Sequence, residues 1–394
     1  MQVFSCNHCG HTLFFENVQC LNCGSTLAFL PDVMAVAAIE PATIDDAGDD
    51  VSQQWQRVGD DGGVHYRMCG NQVLYQACNF AIRDDDAGNT LCVSCRQTRM
   101  LPDLSAPGNR ERWVSVEQAK RRLYYTLAKL GLMEEHGTAL VFDFLADIPG
   151  APTVLTGHQN GLITLNIAEA DDAERARRRI ELHEPYRTLL GHLRHESGHF
   201  FWDRLILQQN RVDEFREVFG DHSLDYKQAL ANYYGAGGAT SSWQDEYVSG
   251  YATAHPWEDW AETWAHYLHM VDLLETAASY KTTVVVPGDG DKLANVQDPF
   301  GHEHEAFDNL VSQWMPVTLL LNSMNRSLGQ GDAYPFALTP GALRKLRYVH
   351  DVISSSGLSA VEPASNGQEN AEGQQPPTEQ QPPNGNAPTE AVEA

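Results

Sequence analysis

His195-Glu196-Ser197-Gly198-His199 is the run in this chain whose residue types and spacing could do chemistry. Four residues make about one helical turn, so on a helix His195 and His199 project from one face and can share a metal ion. Glu196 lies beside them, suited to hydrogen-bond a metal-bound water and take its proton as general base. Zinc lowers the pKa of such a water to about 7. A five-residue match also arises by chance on surface helices, so the reading turns on a third ligand. The candidate stretch runs from Tyr251 to Trp264. Pro256 suits a first helical turn, which puts Glu258 and Glu262 on one face. Glu258 is favoured as the third zinc ligand, with Glu262 one turn on orienting a ligand histidine, although the two roles can be exchanged and two carboxylates can also be a solvated face. His255, His266 and His269 are weaker ligand candidates and read rather as surface histidines, and Trp257, Trp260 and Trp264 as a core stripe in preference to a substrate box. Tyr251 precedes Glu258 by seven residues. Spacing alone leaves it open between packing and an oxyanion-stabilising phenol.

Eight cysteines form two sets. Cys6-x-x-Cys9-Gly10 and Cys20-x-x-Cys23-Gly24 are paired knuckles, each gripping one side of a tetrahedral ion. The following glycines fit tight turns that need positive φ. Cys69, Cys78, Cys92 and Cys95 are expected to hold a second structural zinc, although only the latter half has regular spacing; isolated thiols with His65 are the alternative. One catalytic and one or two structural Zn2+ are therefore implied.

The elements that must carry these groups follow from composition and periodicity. The sequence divides into a zinc ribbon over 1–30, an acidic linker over 31–60, a second four-cysteine module over 61–105, a globular domain over 106–356 and a tail over 357–394. The tail is Gln, Pro and Glu-rich, with no aromatic residue, Lys or Arg, and reads as disordered. Ser115-Val116-Glu117-Gln118 resembles a capping box opening a helix to about Leu130, with Val116, Ala119, Leu123, Leu127 and Leu130 buried. Strands are expected over Ala139–Leu145, Thr153–Thr156 and Leu162–Ile167. Helices follow over Asp171–Ile180, Tyr186–Leu207, Pro256–Leu274, Glu303–Leu328 (kinked or split at Pro316) and Pro340–Ile353. Strands first and helices afterwards make the fold α+β.

The formal net charge is −26. Residues 1–100 hold five Arg, no Lys and twelve Asp or Glu, so even the cysteine-rich part repels phosphate and anionic lipid. Nucleic acid and membrane are therefore not expected as partners; fold support, or docking of a protein partner, is the expected ribbon role. No leader-like or membrane-spanning run is legible, and reduced, paired cysteines fit a cytoplasmic protein.

Several stretches together resemble the bacterial zinc-binding metallopeptidases that carry an N-terminal zinc ribbon. They are Cys6-x-x-Cys9-Gly10, Cys92-x-x-Cys95-Arg96, Leu101-Pro102-Asp103-Leu104, Gly161 to Asn166, His195 to His199, Glu258 to His266, and Tyr334-Pro335-Phe336. The resemblance covers the chain to about residue 355. Tyr251, Glu258, Ala261 and Glu262 are also similar to the motif of gluzincins of the anthrax lethal factor type, from which Asp259 departs. This resemblance implies a zincin-like domain, a peptide or protein substrate, and Tyr251 as oxyanion donor. It also implies an edge strand, formed by Gly161, Leu162, Ile163, Thr164, Leu165 and Asn166, that pairs with extended substrate. The alternative is a peptidase-like domain with little or no activity that serves as a protein-binding module.

Overall fold

A computed structural model describes residues 1–42, 53–60, 63–86, 88–133, 140–181, 187–239, 242–286, 293–301 and 305–356. The expected disordered tail, 357–394, lies outside the described residues.

The hairpin β1 (Phe4–Ser5) and β2 (Thr12–Leu13) carries the first knuckle at its turn. Then come β3 (Thr26–Leu30), β4 (Ala35–Pro41), β5 (Gln54–Arg57), β6 (His65–Met68), the short helix α1 (Gly70–Tyr75) and β7 (Ala81–Arg83). These five strands form one antiparallel sheet in the order β3-β4-β5-β6-β7. The stretch 31–60 is thus not a linker: it supplies two strands of this sheet. Val36, Ala37, Ala38 and Ile39 are all buried, because a strand covered on both faces reads as an apolar run rather than an alternation. Its aspartates Asp45, Asp46, Asp49 and Asp50 lie outside the described residues. Phe15 and Phe29 then pack on Tyr125 of the next helix, with ring centroids 5.4 and 6.0 Å away, and Phe80 packs on Tyr124, so the cysteine-rich part and the rest share one core.

Beyond it lie β8 (Thr98–Met100), α2 (Asn109–Lys129), β9 (Val141–Leu145), β10 (Gly157–Gln159), β11 (Leu162–Asn166) and α3 (Asp172–Glu181). The helix-rich half comprises α4 (Leu189–Trp202), α5 (Val212–Phe219), α6 (Tyr226–Gly235) and α7 (Pro256–Ser279). The hairpin β12 (Thr283–Val285) and β13 (Leu293–Asn295), α8 (Phe307–Ser327) and α9 (Pro340–Ser354) complete it. The fold is α+β and zincin-like, with a sheet-rich ribbon region in front. Among the described residues, no helix is long and apolar enough to cross a membrane.

Four local expectations are corrected. The helix α2 opens at Asn109, so Ser115 is no cap: its hydroxyl donates back to the Glu111 carbonyl at 3.1 Å. The stripe Val116, Ala119, Leu123, Leu127 and Leu130 is nevertheless buried. No strand forms at Thr153–Thr156; it falls at Gly157–Gln159, where Asn160 and Gly161 both take positive φ and turn the chain back into β11. Of the two outcomes expected at Pro316, the split does not occur: α8 runs through it as one helix. Most consequential is the sheet order β10-β11-β9-β8. The strand expected to pair with substrate, Gly161 through Asn166, is bonded on both sides, antiparallel to β10 and parallel to β9. The edge beside α4 belongs to β10.

Candidate metal centre

The helices α4 and α7 hold the candidate site between them. Thr188 caps α4 by accepting the Gly191 amide at 2.9 Å. His255 caps α7 in the same way from the Trp257 amide, and Pro256 occupies the first turn. The two helices lie in very close contact at Gly198. A Cβ built on this glycine would stand 2.9 Å from the Ala261 Cα. The Trp260 indole donates to the Gly198 carbonyl at 2.8 Å, and the Trp264 indole to Ser197 Oγ at 3.1 Å. Two members of the tryptophan stripe are therefore core, fully buried against α4. The third, Trp257, lies against the His199 ring at 4.2 Å between centroids.

This packing brings His195, His199 and Glu258 together, with one potential ligand atom of each within 4.8 Å of the others. Glu258 Oε2 lies 3.0 Å from His195 Nε2 and 3.7 Å from His199 Nε2. Tetrahedral zinc with bonds of about 2.0–2.2 Å would space such donors by roughly 3.3–3.5 Å, so the set fits the ion. Glu258 is 1% exposed, and its Oε2 has no hydrogen-bond partner among the described residues. A buried carboxylate oxygen of that kind calls for a cation. Burial would raise the Glu258 pKa, but His199 and His195 outweigh it and hold it well below the usual carboxylate range. Burial likewise disfavours charge on His195, yet Glu258 and Glu262 hold its pKa well above the ordinary value.

Glu262 stands away from the cluster and binds the far side of the ring. Its Oε1 is 2.7 Å from His195 Nδ1, and its Oε2 accepts the Ser249 hydroxyl at 2.6 Å. Glu196 is buried on α4, next to the donors but not among them. Tyr251 sits in a single turn, Tyr251–Thr253, just ahead of α7. Its ring centroid is 6.0 Å from that of His195, and burial and the nearby Glu258 raise its pKa. The three histidines expected at the surface are not there. His255 and His266 are buried, His266 bonding Tyr334 at 2.6 Å, while half-buried His269 contacts Arg194.

Sequence reasoning missed Tyr226, Ser249 and His158. Tyr226 donates to Glu258 Oε1 at 2.5 Å. His158, on the edge strand β10, lies 6.1 Å from His199 between ring centroids, and burial lowers its pKa to about 4. No periodic signal pointed to any of them; α6 has no buried residue and so no apolar stripe.

The eight cysteines gather as two groups of four, with sulfurs in each group within 4.8 Å of one another. Cys6–Cys23 and Cys9–Cys20 approach to 3.8 and 3.7 Å, and Cys95–Cys78 and Cys78–Cys92 to 3.6 and 3.7 Å. Zinc–sulfur bonds of about 2.3 Å set tetrahedral sulfurs roughly 3.8 Å apart, so both groups fit zinc. Gly10 and Gly24 each have φ of 75°, as the knuckle turns require. The second group is fully buried, whereas Cys9 is exposed and Cys23 half-exposed.

A cluster of two histidines and a glutamate between two helices, behind a pair of four-cysteine groups, defines the class as that of zinc-binding metallopeptidase-like proteins. Residues 109–352 match the family described as "Putative zinc-binding metallo-peptidase", and residues 3–106 match a zinc-ribbon domain. The chain belongs to that metallopeptidase family. Proteins of Mycobacterium bovis and of two Mycobacterium tuberculosis strains, each described as uncharacterized, are 40% identical over 361 residues. The alignment covers 90% of this chain and 95% of theirs. No solved structure matches the chain.

Proposed function

We propose that the chain is a zinc-dependent peptidase. His195, His199 and Glu258 would hold the catalytic ion, and the two four-cysteine groups would hold structural ions. The observation that carries the reading is the convergence of His195 and His199 from α4 with Glu258 from α7, while Glu262 turns its carboxylate onto His195 Nδ1. That outer contact fixes the tautomer in which Nε2 is the lone-pair donor. Bound at this cluster, zinc supplies Lewis acidity and an acidified water.

The rest of the chemistry belongs to the protein's side chains. Glu196 accepts a proton from the attacking water and delivers it to the leaving amine. The Tyr251 phenol stays protonated, since burial and Glu258 raise its pKa, and so keeps a hydrogen to donate to the oxyanion that develops on the scissile carbonyl. Among the described residues Gly157–Gln159 is the edge strand of its sheet, and its outer backbone groups would pair with an extended peptide. The ribbon modules, 1–30 and 61–105, support the 106–356 domain through the core they share.

The test is Glu196→Gln assayed with peptide libraries and mass spectrometry. The variant should keep three zinc per chain and lose cleavage. Unchanged cleavage removes Glu196 from the mechanism. A wild-type chain that binds the third zinc but cleaves nothing refutes the peptidase and leaves a peptidase-like binding module.

A further inference from the structure

We infer that Tyr226 is a positioning residue that makes Glu258 a single-oxygen metal ligand; this rests on the proposed zinc site. The two oxygens of Glu258 have different surroundings. Oε1 accepts the Tyr226 hydroxyl at 2.5 Å. Oε2 faces His195 Nε2 and His199 Nε2 and has no hydrogen-bond partner among the described residues. A carboxylate with one oxygen engaged by a phenol presents the other as its ligating atom. Without that phenol both oxygens can swing onto the ion and occupy the position that water and a substrate carbonyl need.

The phenol is held in place from three directions. Tyr226 opens α6, whose cap Asp225 accepts the Gln228 amide at 2.9 Å. Its ring packs edge-on against His255, at 5.3 Å, and Trp257, at 5.7 Å. His255 ties the turn before α6 to the start of α7, its Nε2 lying 3.2 Å from the Leu224 carbonyl. Tyr226 stands thirty-two residues before Glu258 in sequence, yet its hydroxyl reaches the carboxylate that completes the cluster.

The experiment is Tyr226→Phe, which keeps the ring and its packing, with Tyr251→Phe as the comparison because Tyr226 is the phenol bonded to Glu258. Zinc affinity is measured by chelator competition, and coordination number from the visible spectrum of the cobalt-substituted protein. Tyr226→Phe should weaken metal binding at this site about 10- to 100-fold. It should also shift the cobalt bands toward a higher coordination number, while Tyr251→Phe keeps its affinity within about twofold. Thermal melting checks that Tyr226→Phe folds. An affinity within twofold of wild type with unchanged cobalt bands overturns the inference while the zinc site stands. A wild-type chain that binds zinc only at its cysteines overturns both.

Discussion

Replacing Gly198 by alanine tests whether the close approach of α4 and α7 builds the site. The new methyl would stand 2.9 Å from the Ala261 Cα and 3.1 Å from Trp264 Cδ1. Ordinary carbon contacts lie at about 3.5–4.0 Å, so the helices must part by roughly 0.6 Å or tilt, because the nearer neighbour is backbone. Overpacking of this kind costs about 1–3 kcal/mol. Exchanging Gly for Ala inside a helix returns about 1 kcal/mol. The net expectation is a loss of about 0–2 kcal/mol, or a fall of up to roughly 8 °C in Tm for a domain of this size. The functional effect is larger. A donor set must be held within about 0.5 Å of its working geometry, and the forced separation is of that order. Zinc affinity at His195, His199 and Glu258 should therefore fall at least tenfold, with the cysteine-bound zinc retained. Calorimetric melting and chelator competition on the same preparations read both quantities. A variant that melts about 3 °C higher, as helix propensity alone predicts, and binds the third zinc normally would refute the reasoning.

Lys345→Ala should be costly, because Lys345 Nζ meets Asp259 Oδ2 at 2.6 Å with both groups buried. Leaving that carboxylate unpaired costs about 3–5 kcal/mol, read in a denaturant melt; a loss under about 1 kcal/mol would mean the pair is dispensable. Acid stability should track Glu169. Burial alone would raise its pKa, but His192, Thr156 and Arg187 hold it down to about 2, below its ordinary value of 4.5. The sign follows: the unfolded chain takes up the proton first, so stability present above about pH 4.5 is lost as pH falls toward 2. Glu169→Gln should flatten that part of the stability–pH curve, and an unchanged slope there would discount the cluster. Cys92→Ser should cost the protein one zinc by metal analysis and lower the Tm of the whole chain in a single transition, since the two parts share a core. Two separated transitions would show them to be independent.

How much of this was legible beforehand varied with how local each signal is. The histidine pair, the carboxylates one turn apart on α7 and the knuckle cysteines were readable because helical and turn spacing put each group on one face within a few residues. Whether α4 and α7 would meet was a tertiary matter, and its enabling residue, Gly198, reads in sequence only as a poor helix former. Tyr226 left no trace, because α6 buries none of its residues and so shows no apolar period. The strand β4 was hidden by aspartates that follow it, and its small alanines read as weakly apolar. The edge assignment failed for a different reason: β11 has the stronger strand sequence, and a strand bonded on both sides is selected for just that. The poor strand Gly157–Gln159 takes the exposed position.

The unequal shielding of the two cysteine groups implies unequal ageing. Cys9 is exposed and Cys23 half-exposed, and hydrogen bonds from Ser25 lower the Cys23 pKa to about 5 while those from Asn22 and His11 lower that of Cys9, so two of the outer sulfurs lie within reach of oxidants. The inner four are enclosed. Stored in air, the protein should lose metal from its amino-terminal tip first, while the enclosed ion persists.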